Sequence, residues 1–204
     1  MAFEDNVFIN CPYDDRYKSL LRPLLFTVVR SGLNPRLALE GMDSGEARIN
    51  KIVGLIKGSK YAIHDLSRIQ AKSAGEYSRL NMPFELGLDV GCRLFGAGGL
   101  KTKKCLILEK EPYRYQAAIS DLSNSDIAVH HNDPVRLMTA VRDWLVCEAD
   151  VELPGPSGLI DTYVDFMTDT LVDLMGKGFE KEEATALPIP ELMKYMRRWV
   201  ASNT

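Results

Sequence analysis

Residues 6–15 (NVFINCPYDD) predict a strand that leads directly into a helix. The first six of them form a short apolar run that Pro12 closes, a pattern typical of a buried strand. Asp14 and Asp15 follow as candidate helix N-caps. Beyond them, apolar residues recur at helical spacing as far as Gly32: Leu20, Leu21, Leu24, Leu25, Val28 and Val29.

The same strand–helix alternation continues to about residue 149. We predict further strands at residues 36–39, 60–65, 104–108 and 127–130. We predict helices around residues 49–56, at 82–95, weakly at 116–122, and after Asp133, with Asp133 as N-cap and Pro134 in the first helical position. Strands separated by helices indicate a parallel sheet with right-handed crossovers. The fold class expected is α/β, a flavodoxin-like three-layer sandwich with strand order 2-1-3-4-5.

The segment LPGPSG, residues 153–158, marks a change in the pattern. We predict an α/β domain over residues 1–150 and a C-terminal helical extension over 151–204, a candidate oligomerisation element, with helices near 159–175 and 190–201. The first of these helices carries an acidic stripe opposite an apolar one. The acidic stripe is Asp161, Asp165, Asp169 and Asp173; the apolar stripe is Ile160, Tyr163, Val164, Met167, Leu171 and Leu174. A solvated acidic face and a metal site are both open interpretations.

Composition excludes several classes of protein. The 204 residues are 46% hydrophobic and 26% charged, which excludes a disordered tail or a fibrous repeat. The net charge of −3 disfavours nucleic acid as a partner. No apolar run approaches the roughly 18 residues of a membrane span, and the N-terminus lacks the pattern of a secretory signal. We therefore expect a cytoplasmic protein with no membrane partner.

The four cysteines, at positions 11, 92, 105 and 147, are isolated from one another. No C-x-x-C pair and no histidine at ligand spacing accompanies them, so we expect reduced thiols and no metal site.

In this fold class, ligands bind beyond the carboxyl ends of the strands, beside strand one. That rule selects the segments 10–15, 40–46, 64–67 and the start of the third long helix. The polar stretch of residues 66–81 is longer than usual connections, which indicates a binding loop. Phosphate-loop, dinucleotide-binding and G-x-S-x-G signatures are absent from the sequence.

Glu85 is the strongest candidate for chemistry. Pro83 suits a first helical turn and places Glu85 in that turn, facing the ligand-binding edge. Phe84 is expected to shield its carboxylate and raise its pKa, while the helix N-terminus lowers it. Gly87 and Gly91 are expected to let this helix pack closely on the sheet. The alternative is an acid that only complements the helix dipole.

Two other segments offer candidate pocket residues. The first segment is the end of the third strand, with His64, Asp65 and Ser67. These residues are candidate functional groups. The alternative is a structural role, with His64 as a buried polar residue and Asp65 as a turn cap. The second segment is the junction of the first strand and its helix, with Asn10, Cys11, Tyr13 and Asp14. We expect free backbone N–H groups there to bind a phosphate or a ribose hydroxyl. The alternative is a capped turn with no ligand.

Four segments together resemble bacterial TIR-like proteins: VFINCPYDD at 7–15, R-x-x-K-I-x-x-L-I-x-x-S at 48–59, YAIHDLS at 61–67 and NMPFELG at 81–87. The resemblance covers about residues 5–148. TIR-like proteins share a fold group with nucleoside 2-deoxyribosyltransferases, which have a similar Glu-Leu-Gly helix start. Many TIR domains have S/C-x-x-E-L around their glutamate; here Met82 begins that motif.

The resemblance implies an enzyme that cleaves the nicotinamide–ribose bond of NAD, with Glu85 as the catalytic residue. Its products would be ADP-ribose or a cyclic or conjugated derivative, in bacterial antiviral defence. NAD is then substrate, and no further cofactor is implied. The implied pocket residues are Asn10, Cys11, Tyr13, Asp14, Asp43, Arg48, His64, Asp65 and Ser67. The implied partners are a second copy of the chain and a separate effector or phage-derived activator. A deoxyribosyltransferase or nucleotide N-glycosidase, with Asp65 or Asp43 as proton donor, and a non-catalytic nucleotide-binding adaptor remain the alternatives.

Overall fold

A computed structural model describes residues 2–41, 43–71, 73, 75, 79–117, 119–122 and 125–203. Its centre is a five-stranded, all-parallel sheet formed by β1 (Asn6–Asn10), β2 (Asn34–Arg36), β3 (Tyr61–Asp65), β4 (Lys104–Glu109) and β5 (Ile127–Val129). The strand order is β2-β1-β3-β4-β5. The predicted flavodoxin-like α/β fold is therefore confirmed.

Helices cover both faces of the sheet. They are α1 (Lys18–Arg30), α2 (Arg48–Lys57), α3 (Asn81–Phe95), α4 (Pro134–Ala149), α5 (Pro156–Gly176), α6 (Lys181–Thr185) and α7 (Ile189–Ser202). Side chains of β1 alternate between the two layers: Val7 and Ile9 join the core with α1 and α4, whereas Phe8 joins the core with α2. Because both faces of the sheet are covered, all five residues of β1 are buried, and its three central residues are apolar.

Strand β2 begins two residues before its predicted start and ends at Arg36. Residues 38 and 39, predicted as strand, belong instead to the 3-10 turn Ala38–Glu40. The carboxylate of Glu40 reaches back to accept hydrogen bonds from Arg36 Nε at 3.0 Å and from the backbone N–H of Leu37 at 2.6 Å. These bonds turn the chain out of the sheet. Pro35 fits the strand because β2 is an edge strand, with no partner on one side.

The weak helix predicted at 116–122 is two 3-10 turns, Tyr115–Ala117 and Ser120–Leu122, and residue 118 lies outside the described residues. The buried ring of Tyr115 explains the difference. Its hydroxyl donates to the carbonyls of Leu122 and Ser125, at 3.0 and 2.8 Å, so the segment folds around this side chain rather than along a helical axis.

Helix α3 packs on the sheet through Met82, Leu86 and Asp89 and not, as predicted, through its glycines. A Cβ built on Gly87 meets no described atom within 4 Å, and one on Gly91 meets only Phe95 of the same helix. Both glycines line an outer groove of about 570 Å³ between α2 and α3. Their missing side chains open this groove rather than bring the helix closer to the sheet.

The C-terminal helices share one hydrophobic core with the sheet. Leu159, Phe166 and Leu174 of α5 and Met196 of α7 belong to the same buried cluster as Val7 and Ile9. The predicted apolar stripe on α5 is displaced: Phe166 is fully buried, while Val164 is 54% exposed. The four aspartates of the acidic stripe are exposed; Asp169 accepts a hydrogen bond from Trp199 Nε1, and Asp173 pairs with Lys177.

No helix among the described residues is both long and apolar enough to cross a lipid bilayer.

Because Phe166 stacks on Phe26 of α1 at 5.2 Å between ring centroids, we expect Phe166→Ala to lower the free energy of unfolding by about 3–5 kcal/mol. Urea denaturation measures this. The control is Val172→Ala in the same helix, whose side chain is exposed and whose loss changes the free energy of unfolding by less than about 0.5 kcal/mol. Equal effects of the two substitutions would contradict a core that includes α5.

Candidate functional site

Glu85 lies at the carboxyl edge of the sheet, near the start of α3. The helix begins at Asn81, one residue earlier than predicted, so Glu85 falls just after the first turn rather than within it. The residue is 6% exposed. Phe84, predicted to shield it, is 58% exposed.

One guanidinium of the described residues pairs with the carboxylate of Glu85. Nη2 of Arg48, the first residue of α2, lies 4.0 Å from Glu85 Oε1, and the Arg48 side chain is 58% exposed. Burial raises the pKa of Glu85, although Arg48, His64 and a hydrogen bond from Asn81 each lower it in part. Glu85 is therefore a shielded carboxylate whose pKa lies above its ordinary value, beside an accessible cation.

A chain of buried polar side chains runs below Glu85. Asn10 Nδ2 lies 3.0 Å from His64 Nδ1 and also donates to the carbonyl of Met82 at 2.9 Å. Because the amide nitrogen is a donor, His64 Nδ1 is the acceptor, and the imidazole proton is on Nε2. That Nε2 lies 3.1 Å from Asp89 Oδ2. Asn10 thereby connects the ends of β1 and β3 to the first turn of α3.

The last contact of this chain joins Asp89 to the buried ammonium group of Lys103. Asp89 Oδ1 lies 3.0 Å from the ammonium of Lys103, which also donates to the carbonyls of Ile56 and Ser59. Burial opposes the ionisation of Asp89, but His64 and Lys103 outweigh it and lower the pKa of this carboxyl. Neither Asp89 nor Lys103 was predicted. The spacing of Asp89, four residues after Glu85 on one helix face, is the signal in the sequence that points to it.

Asp65 is the centre of a second buried cluster. Its carboxylate accepts hydrogen bonds from the Tyr17 hydroxyl and from the backbone N–H of Ser67, the latter at 2.8 Å. His130 Nε2 lies 3.1 Å away, and its Nδ1 accepts from the backbone N–H of Asn132. Burial raises the pKa of Asp65, but the contacts with His130, Ser67 and Tyr17 outweigh it and leave the pKa lowered.

Tyr17 and His130 were also missed by sequence reasoning. His130 follows the last strand, so the rule that ligands bind at the carboxyl ends of strands could have selected it. Nothing in the local sequence marks Tyr17, which lies between Arg16 and Lys18 in the 3-10 turn before α1.

The loop after β1 surrounds Cys11. Burial raises the pKa of its thiol, and Asp65, Glu85 and Asp14 raise it further, so Cys11 is a protonated, inert thiol amid three carboxylates. Tyr13 is half-buried and donates to the carbonyl of Ile9 at 3.3 Å. Asp14 caps the 3-10 turn Asp15–Tyr17 and pairs with two arginines.

Asp43 and Ser67, the remaining predicted residues, lie in different surroundings. Asp43 is exposed and accepts from the backbone N–H of Gly45 at 2.8 Å; no contact among the described residues joins it to Glu85. Ser67 is buried at the turn after β3, and its hydroxyl has no hydrogen-bond partner among the described residues. The structure thus brings Asn10, His64 and Arg48 around Glu85, whereas Asp65 and Ser67 belong to the second cluster.

No group of three or more His, Cys, Asp or Glu side chains in the described part of the chain is arranged to hold a metal ion.

The sequence matches no protein-family model, and no curated protein matches it. The site's own geometry therefore carries the functional argument.

The lowered pKa of Asp65 predicts a stability that depends on pH. In the unfolded chain the carboxyl titrates near the ordinary pKa of 3.8, and in the folded chain it titrates lower. Its contribution is therefore complete above the unfolded pKa and is lost as the pH falls through the folded pKa. We expect Asp65→Asn to lower the free energy of unfolding by about 3 kcal/mol at neutral pH. The free energy of unfolding of this variant should then decrease less than that of the wild type as the pH falls.

Denaturant unfolding across the acidic range measures this effect. The matched control is Asp161→Asn on the exposed face of α5, which should leave both the stability and its pH dependence unchanged. An Asp65→Asn variant as stable as the wild type would show that the cluster does not stabilise the fold.

Proposed function

We propose that this protein cleaves the N-glycosidic bond between nicotinamide and ribose in NAD, with Glu85 as the catalytic carboxylate. The observation that carries the proposal is the position of Glu85. It is an acid with 6% of its surface exposed, at the carboxyl edge of a 2-1-3-4-5 sheet and beside β1 and β3, where such folds bind ligands.

A single carboxylate suits this reaction. The bond from C1′ of the ribose to the pyridinium nitrogen breaks, and its electron pair neutralises the leaving nicotinamide, so no acid has to protonate the leaving group. The ribosyl centre becomes an oxocarbenium-like cation, which the anionic Glu85 stabilises. A water molecule, or a hydroxyl of the product, then bonds to C1′ and releases a proton to Glu85 or to solvent.

The electrostatics around Glu85 support that role. Arg48 is the one cation in direct reach of the Glu85 carboxylate among the described contacts, and it is mostly exposed. Below Glu85, His64 carries its proton on Nε2, and Asp89 is paired with Lys103. The charges of Asp89 and Lys103 offset each other, and neither residue pairs with Glu85 among the described contacts, so the charge of Glu85 remains available to the developing cation.

The resemblance to TIR-like proteins supports the wider part of the proposal. It suggests a cytoplasmic enzyme of bacterial antiviral defence that yields ADP-ribose or a cyclic or conjugated derivative. It also suggests activity in an assembly of several copies, with a separate effector or phage-derived activator.

We expect Glu85→Gln to lower the turnover of NAD by at least about 100-fold, because the neutral amide cannot stabilise the ribosyl cation. Chromatography of nicotinamide release measures the rate. Glu152→Gln, an exposed acid after α4, is the control and should retain activity. Equal rates in wild type and Glu85→Gln would refute the assignment. Transfer between a deoxynucleoside and a free base, without NAD turnover, would favour the deoxyribosyltransferase alternative.

The pH dependence gives an independent test of the Glu85–Arg48 contact. Catalysis requires ionised Glu85, so activity falls as the pH drops through its raised pKa. Arg48 favours ionisation, and Arg48→Gln should therefore shift the acidic limb of kcat/KM to higher pH. Arg136→Gln, an exposed change on α4, should leave the limb in place. If the acidic limb of kcat/KM lies at the same pH in Arg48→Gln as in the wild type, the ionisation of Glu85 does not determine that limb.

A further inference from the structure

Asp14 lies between two arginines at the same edge of the sheet as Glu85. Arg68 Nη2 is 3.5 Å from Asp14 Oδ1, and Arg79 Nη2 is 3.6 Å from Asp14 Oδ2. The side chains of Asp14, Arg68 and Arg79 are 28%, 26% and 47% exposed, so the group is accessible to a ligand.

The backbone holds the two arginines together. Arg68 follows β3 by three residues, and Arg79 precedes α3 by two. The backbone N–H of Arg79 donates to the carbonyl of Arg68 at 3.4 Å, which joins the two ends of the connection. Asp65 fixes the start of this connection through the backbone N–H of Ser67. The guanidinium pair is therefore a product of the fold and not of neighbouring positions in the sequence.

The charges of this group are not balanced. Among the described residues, two guanidinium groups face one carboxylate, which leaves an excess of one positive charge. Both distances exceed the roughly 2.7–2.9 Å of a strong charge-assisted hydrogen bond. Arg68 Nε is buried and has no hydrogen-bond partner in the part of the chain that the structure describes. Asp14 also accepts from the backbone N–H of Tyr17 at 3.1 Å, so its carboxylate is shared. The arginines thus retain unused capacity for an anion.

The end of β1 and the loop after it contact both the arginine pair and the start of α3: Asp14 pairs with the two arginines, and Asn10 donates to the carbonyl of Met82, three residues before Glu85. Asp14 and Glu85 both raise the pKa of the buried Cys11 thiol, which places both carboxylates within electrostatic range of one sulfur. The arginines and the helix turn before Glu85 therefore both lie beside the end of β1 and the loop after it, within reach of one extended ligand.

We propose that Arg68 and Arg79 bind the diphosphate of a dinucleotide substrate, with Asp14 as the carboxylate that the diphosphate displaces or shares. This inference rests on the proposed function, since it assigns the substrate class of the same site. Guanidinium groups bind phosphate oxygens in a bidentate manner, so two of them match a diphosphate. The site then selects substrates such as NAD over nucleosides that carry no phosphate.

Binding of ADP-ribose and of nicotinamide riboside, measured by titration calorimetry, tests the assignment without any turnover. We expect the double variant Arg68→Gln/Arg79→Gln to weaken ADP-ribose binding by about 10- to 100-fold, through loss of charge-assisted hydrogen bonds. Asp14→Asn should instead tighten binding by about 2- to 5-fold, because it removes a competing anion and keeps an N-cap side chain. Nicotinamide riboside should bind all variants equally, and Arg136→Gln should behave as wild type.

The double variant is expected to weaken ADP-ribose binding and Asp14→Asn to tighten it, so a general loss of structure cannot produce both results. Unchanged ADP-ribose affinity in the double variant, weaker binding by Asp14→Asn, or no binding by the wild type would each overturn the diphosphate assignment. Matching denaturation curves establish that the variants fold. If ADP-ribose binding follows the expected pattern while NAD is not cleaved, the diphosphate site stands and the proposed reaction is wrong.

Discussion

The buried ion pair between Asp89 and Lys103 is the constraint on which the site depends. Each side chain is 3% exposed or less, and removing such charges from water costs several kcal/mol per ion unless other groups satisfy them. Here they are satisfied by His64 on β3 and by the carbonyls of Ile56 and Ser59. Because these partners come from α2, α3, β3 and the approach to β4, the charges can be paired only when the layers are correctly assembled.

This pairing also positions the candidate catalytic group. Asp89 lies one helical turn beyond Glu85, so holding Asp89 against His64 orients the helix face that carries Glu85. Asn10 adds a second attachment, through the carbonyl of Met82 in the first turn. Glu85 is therefore held at the edge of the sheet from two directions, although Arg48 is the one residue among those described that forms an ion pair with its carboxylate. Such positioning keeps a charged group in place without neutralising it, which electrostatic stabilisation of a cation requires.

The second cluster plays a complementary role. Asp65 is fully buried and engaged by Tyr17, His130 and the N–H of Ser67, so the protein occupies its acceptor sites. It is therefore better suited to fixing the turn after β3 than to donating a proton to a leaving base. The turn in turn carries Arg68 towards Asp14. Two carboxylates adjacent to the same loop thus have different environments, one enclosed by donors and one beside an accessible cation.

The sequence by itself determined the alternation of strands and helices, because local periodicity marks each element. The strand order and the location of Glu85 at the sheet edge followed from the fold class that this alternation predicts. The sequence also marked Asn10, His64 and Asp65, because each ends a strand. Only the tertiary structure decided which polar groups meet: Asp89 with Lys103, His130 with Asp65, and Arg68 and Arg79 with Asp14. Tertiary contacts also decided that β2 spans Asn34–Arg36, because the Glu40 carboxylate binds Arg36 and the N–H of Leu37. They decided as well that Gly87 and Gly91 line the outer groove and not the sheet. These contacts join residues far apart in the chain, and no local pattern encodes them, because the energy of a buried charge depends on partners that only folding brings near.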